Sequence, residues 1–150
     1  MRSIATTIVA IAIGLGLGGC VGAQDQVEEI VDDLNWPQVR YVEAVQATDG
    51  TCRFDVTVEH NDEGWDHYAD AWQVVDRRDM RIIAERILLH PHDSEQPFTR
   101  SQSGIRIPDE LTSVIVRARC TQHGSGGHAV LVDLTTDGED YEVRAQAGSN

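Results

Sequence analysis

The chain of 150 residues has 25 acidic and 12 basic side chains, for a formal charge of −13. Such a surface repels phosphate backbones and anionic headgroups, which excludes nucleic acid as a partner. The length suits one domain with one core, and every basic residue is arginine.

The chain opens MRSIATTIVAIAIGLGLGGC, with one charge at Arg2, an apolar run from Ile4 to Leu17, and small residues up to Cys20. This is the three-part layout of a secretory signal over residues 1–19. The apolar run, about 14 residues, is shorter than the roughly 20 that a spanning helix takes. The stretch Leu17-Gly18-Gly19-Cys20 resembles the bacterial lipobox. That resemblance implies cleavage before Cys20, lipid on its thioether, and a mature chain held to the cell-envelope membrane, facing the periplasm or the cell surface. An ordinary signal peptide cut near Ala23 is the alternative.

Residues 20–38 read as a tether. Within it QDQVEEIVDDLNW places Val27, Ile30, Val31 and Leu34 at helical spacing, with Asp25 and Glu28 as a capping box and Pro37 as the stop. From Val39 the period changes to two. Seven strands are predicted: Val39–Thr48, Cys52–His60, Tyr68–Asp76, Ile82–Leu89, Thr99–Ile107, Ser113–Cys120 and His128–Leu134. An eighth, Tyr141–Arg144, follows the Asp137-Gly138 turn as an expected hairpin partner of the seventh. The domain spans residues 39–145 and residues 146–150 form a tail. Short alternating strands without a long helix predict an all-β, antiparallel β-sandwich.

Strand count, Trp72 in the third strand, and the run VIVRARCTQHGSGG as a sixth strand with its loop resemble an immunoglobulin-like or fibronectin type III domain. The resemblance covers roughly Val39 to Leu134 and implies that fold alone. Where the tyrosine corner of that family would fall stands Ala118. The stretches GWDHYADAW, LLHPHDSEQPFTR and HGSGG are similar to short exported bacterial proteins, a likeness that names no activity.

In an up-and-down reading, the second, fourth and sixth connections share one end of the sandwich. All six histidines then gather there: His60 and His67, His90 and His92, His123 and His128. Neutral imidazoles from several loops suit zinc or copper. The His90-Pro91-His92 pair points both rings one way on extended chain. The expected ligands are His67, His90, His92 and His123, with Asp66 and Glu95 near enough to orient a ring. Two other readings stay open: hydrogen-bonded loop histidines, and a surface of Trp65, His67, Tyr68 and Phe98 for an envelope protein partner. Copper–zinc superoxide dismutases share the sandwich and the His-x-His pair, but their later histidine cluster is absent from this sequence.

Cys52 and Cys120 would form a disulfide in an exported chain. Under immunoglobulin topology, however, their strands run the same way and the two cysteines lie some 20 Å apart, at about 3.3 Å per residue. Without the bridge, Cys120 falls at the histidine end and becomes a thiolate ligand beside His123. No nucleophile elbow, P-loop or dinucleotide motif appears. The expected role is therefore binding, not catalysis.

Overall fold

The computed structural model describes residues 33–147. The expected signal sequence, Cys20 and most of the expected tether helix lie outside them. Residues 34–36, the end of that helix pattern, form a turn, and no helix occurs among the described residues.

Eight strands follow in order: β1 (Gln38–Gln46), β2 (Cys52–Glu59), β3 (Ala69–Asp76), β4 (Ile82–Ile87), β5 (Phe98–Ile105), β6 (Ser113–Cys120), β7 (Val130–Asp133) and β8 (Tyr141–Ala145). Every boundary lies within two residues of the position predicted from period two. They form two four-stranded sheets, ordered β5-β2-β1-β8 and β4-β3-β6-β7. The predicted β-sandwich is what the chain adopts.

Alternation builds the core between the sheets. Phe54, Val56 and Val58 of β2 face Val114, Val116 and Ala118 of β6, and Trp72 sits among them with no exposed surface. β4 is an edge strand and its residues are only half-buried or exposed.

One pairing corrects the sequence reading. β8 is not the hairpin partner of β7. It crosses to the other sheet and pairs with β1 in parallel, Val42 opposite Tyr141 through Gln46 opposite Ala145. A period of two fixes which face of a strand is buried but carries no information about its neighbour.

The antiparallel pairings β1–β2, β3–β4 and β3–β6 bring three connections to one end: residues 60–68, 88–97 and 121–129. The segment 33–37, which enters β1, arrives at the same end. All six histidines are on these connections.

Candidate metal centre

Two inward-facing stripes lead into the site. On β2 the buried series Phe54, Val56, Val58 continues one step past the strand to His60. On β6 the series Val114, Val116, Ala118 ends at Cys120. The two stripes belong to facing sheets, so His60 and Cys120 meet at the end of the core. His67, two residues before Ala69 of β3, completes the group. His60, His67 and Cys120 are all buried, and each offers one ligand atom within 4.8 Å of the others. Zinc bonds of about 2.0–2.3 Å place tetrahedral ligand atoms roughly 3.4–3.8 Å apart, so closure by about 1 Å forms a coordination sphere.

Asp62 orients the group. Its Oδ1 accepts the His60 Nδ1–H at 2.6 Å and the Ala69 N–H at 3.0 Å, and its Oδ2 accepts the His92 N–H at 2.6 Å. Burial pushes the Asp62 carboxyl up, but the bonds from His60, His92 and Ala69 outweigh it and hold the group below its ordinary value. With Nδ1 held by Asp62, the His60 ring directs Nε2 toward the cluster, 3.2 Å from the Asn35 carbonyl oxygen. A carboxylate that fixes the ring of a ligating histidine is the usual support of such a ligand.

His67 is 4 % exposed. Its Nδ1 lies 3.5 Å from Glu63 Oε2, and its Nε2 is buried with no hydrogen-bond partner. Its ring meets His60 and His123 edge to face, at centroid distances of 4.7 and 4.9 Å. Cys120 anchors a tight turn. Its N–H and C=O bond both backbone groups of Gly124 at 3.1 Å, and its Sγ accepts the His123 N–H at 3.3 Å. The turn requires a positive φ, which Gly124 supplies at 72°. It places His123 Nδ1 3.7 Å from Cys120 Sγ, with the His123 ring on the exposed side. The set is two buried imidazoles and a buried thiol, with a third imidazole at the rim. These are ligands for zinc or copper, while calcium would demand oxygens.

Of the four expected ligands, His67 is in this cluster and His123 borders it. His90 and His92 stand apart. His90 is exposed, its Nδ1 3.0 Å from its neighbour's carbonyl at Pro91. His92 is buried and stacks on Phe98 with centroids 3.8 Å apart and planes at 9°. Both of its ring nitrogens lack partners, and Nδ1 is 4.0 Å from Asp62 Oδ2. Burial, then Arg100 and His90, lower its pKa. His128 ties its loop to β1, its Nδ1 2.9 Å from the Val39 carbonyl.

The orienting carboxylate is Asp62. Asp66 is exposed and uses its backbone carbonyl to accept bonds from Thr121 and Gln122. Glu95 pairs with Arg100 at 3.0 Å. Phe98 is buried beneath His92, so it cannot belong to an exposed partner surface; Trp65, 68 % exposed against Tyr68, remains.

The disulfide does not form: Cys52 and Cys120 are both free. Cys52 opens β2 while Cys120 lies beside His60, just past the other end of that strand, at roughly 3.3 Å per residue. Cys120 is instead the thiol of the histidine cluster.

His60 and Cys120 carried a readable signal. Each extends an alternating apolar stripe by one step, so parity alone puts both in the interior.

No known family model matches the chain, and no solved structure matches it. Over 109 residues, 73 % of the chain, it is 41 % identical to a protein of Halomicrobium mukohataei named "Putative lipoprotein". The chain spans about half of that relative's length, 53 %.

Proposed function

We propose that this protein is a lipid-anchored, extracytoplasmic β-sandwich that binds zinc or copper at its histidine end and carries out no catalysis of its own. The anchoring rests on Leu17-Gly18-Gly19-Cys20, with lipid on Cys20, and on the name of the Halomicrobium relative. An immunoglobulin-like or fibronectin III-like domain fits the strand order β5-β2-β1 facing β4-β3-β6-β7.

The convergence of His60, His67 and Cys120 carries the metal reading. A buried imidazole nitrogen without a partner costs about 1–3 kcal/mol, which a bound cation at His67 Nε2 would recover. A soft thiolate beside imidazoles selects zinc or copper from other divalent ions. The experiment is metal content by mass spectrometry on residues 21–150, exported and purified without tag or chelator, beside zinc and copper titrations. The expected result is one metal per chain, lost in His60→Ala and in Cys120→Ser. An empty protein with no binding below about micromolar would reject the reading. Fractionation of the full chain tests the anchor: Cys20→Ser should move it from membrane to soluble fraction.

A second reading, an envelope protein partner, rests on Trp65, which stands 68 % exposed with its ring edge-on to Tyr68. An aromatic so placed suits an interface anchor, and Trp65→Ala would abolish capture of that partner without touching metal content.

A further inference from the structure

We propose that the segment entering the domain closes the metal centre, with the backbone carbonyl of Asn35 as an oxygen ligand, so that metal binding locks residues 33–37 onto the sandwich. This rests on the metal reading above and extends it to a residue that no side-chain argument singles out.

Three atoms of the cluster converge on Asn35 O: His123 Nδ1 at 3.1 Å, His60 Nε2 at 3.2 Å and Cys120 Sγ at 3.8 Å. With His123 Nδ1 3.7 Å from Cys120 Sγ, the two separations from sulfur match the edges of a coordination polyhedron, roughly 3.4–3.8 Å for nitrogen and sulfur ligands, and the two from nitrogen to oxygen are slightly shorter. The chemistry points the same way. Asn35 O can only accept, so in the absence of metal it is approached through a proton on His60 Nε2, His123 Nδ1 or Cys120 Sγ. A cation that displaces these protons would find the same nitrogen, sulfur and oxygen atoms already gathered as ligands, since metal binding releases protons from its ligands. A carbonyl oxygen as a weak extra ligand beside two histidines and a cysteine is a known copper arrangement.

The segment is held in place for this. Leu34 O accepts the Asn61 N–H at 2.9 Å, next to His60. Trp36 lies over His123 with centroids 5.2 Å apart. The Gln38 side chain bonds the carbonyls of Asp33 and Trp36. The HGSGG loop makes room: a Cβ on Gly126 would collide with the Trp36 ring, and one on Gly127 with the Pro37 carbonyl. These two glycines are small because the segment lies against them. Binding that uses Asn35 must also order it, since coupling between two events is reciprocal.

The test uses the intact exported chain in detergent, with zinc(II) and copper(II) each supplied alone. Hydrogen exchange of residues 33–38 should slow at least tenfold on metal addition. Gly126→Val and Trp36→Ala leave His60, His67, Cys120 and His123 in place, and each should weaken metal binding about tenfold or more by competition with a chromophoric chelator. Trp36→Ala keeps the test informative if the valine disturbs the loop. Stoichiometric metal with unchanged exchange at 33–38 and wild-type affinity in both variants would overturn this proposal and leave the metal reading standing. No metal binding by the wild-type chain would overturn both.

Discussion

His60 donates its Nδ1–H to Asp62 across 2.6 Å, with both side chains wholly out of solvent. One carboxylate thereby fixes a ring at the end of β2, the start of β3 through Ala69, and the 88–97 connection through His92. Asp62→Asn keeps the shape but gives up the charge and one acceptor. It should lower stability by roughly 2–3 kcal/mol in urea unfolding, because a buried donor is left unpaired. Metal affinity should fall about 10–100-fold through loss of ring orientation. Unchanged values of both would show that Asp62 neither ties the loops nor positions His60.

Stability should fall with acid in two windows. His92 has a pKa below its unfolded value of about 6.5, so its neutral form favours the folded state, and that contribution is lost as pH drops below about 6.5. Two carboxyls act lower down. Asp76 is held down to about 2 by hydrogen bonds and charge from Arg78, and Asp62 lies below its ordinary value. Each adds stability above the unfolded value near 3.9, lost as pH falls through the folded one. His92→Phe preserves the stack on Phe98 and removes the upper window. Urea midpoints between pH 7 and 5 should be flatter in this variant than in the wild type; equal slopes would exclude His92 as the source.

The cysteines give a counting experiment. A denatured, unreduced chain carrying Cys20→Ser should show two reactive thiols, from Cys52 and Cys120. In the folded protein both should react slowly, since both are buried, and burial pushes the Cys52 thiol up. Cys52→Ser should leave metal binding intact while Cys120→Ser removes it. A single broad loss in both variants would mean that the effect is on folding and not on ligation.

Trp72 fills the centre of the core, and its Nε1 has no hydrogen-bond partner. Trp72→Ala should cost about 3–5 kcal/mol by cavity formation. Trp72→Phe should cost much less, because no hydrogen bond is lost with the indole. Thermal or urea unfolding distinguishes the two, and equal losses would point to a polar role for Nε1.

Much of the fold was legible because alternation is a direct record of one buried face. Ser113–Cys120 appears in the structure as the sequence predicts it. The partner of β8 was not legible, because Tyr141–Ala145 has the pattern of any half-buried strand and its pairing with β1 depends on where the chain travels after residue 134. For the site, topology brought the histidines to one end as expected, but the three buried side chains that converge are His60, His67 and Cys120, of which only His67 was among the four expected ligands. His90 and His92 are conspicuous together and their rings meet, with centroids 4.5 Å apart, but His92 lies buried on Phe98 and the pair is not part of the His60, His67 and Cys120 group. His60 was marked only by the parity of the apolar stripe it ends, and Cys120 by parity and by its place at the histidine end beside His123. Asn35 was beyond reach, since its backbone oxygen carries no sequence signature.

The parallel pairing of β1 with β8 has a mechanical consequence. β1 begins at the histidine end with Gln38, and β8 finishes beside Gln46 at the opposite end. A pull applied between residues 38 and 145 therefore runs along both strands in opposite senses. The ladder bonds lie across that direction, so the five paired positions are sheared together and cannot open one at a time. The Val42 N–H to the Asp140 carbonyl and the Gln146 N–H to the Gln46 carbonyl extend the seam by one bond at each end. Force carried along the chain from a fixed point ahead of β1 to residue 145 therefore loads this seam in shear.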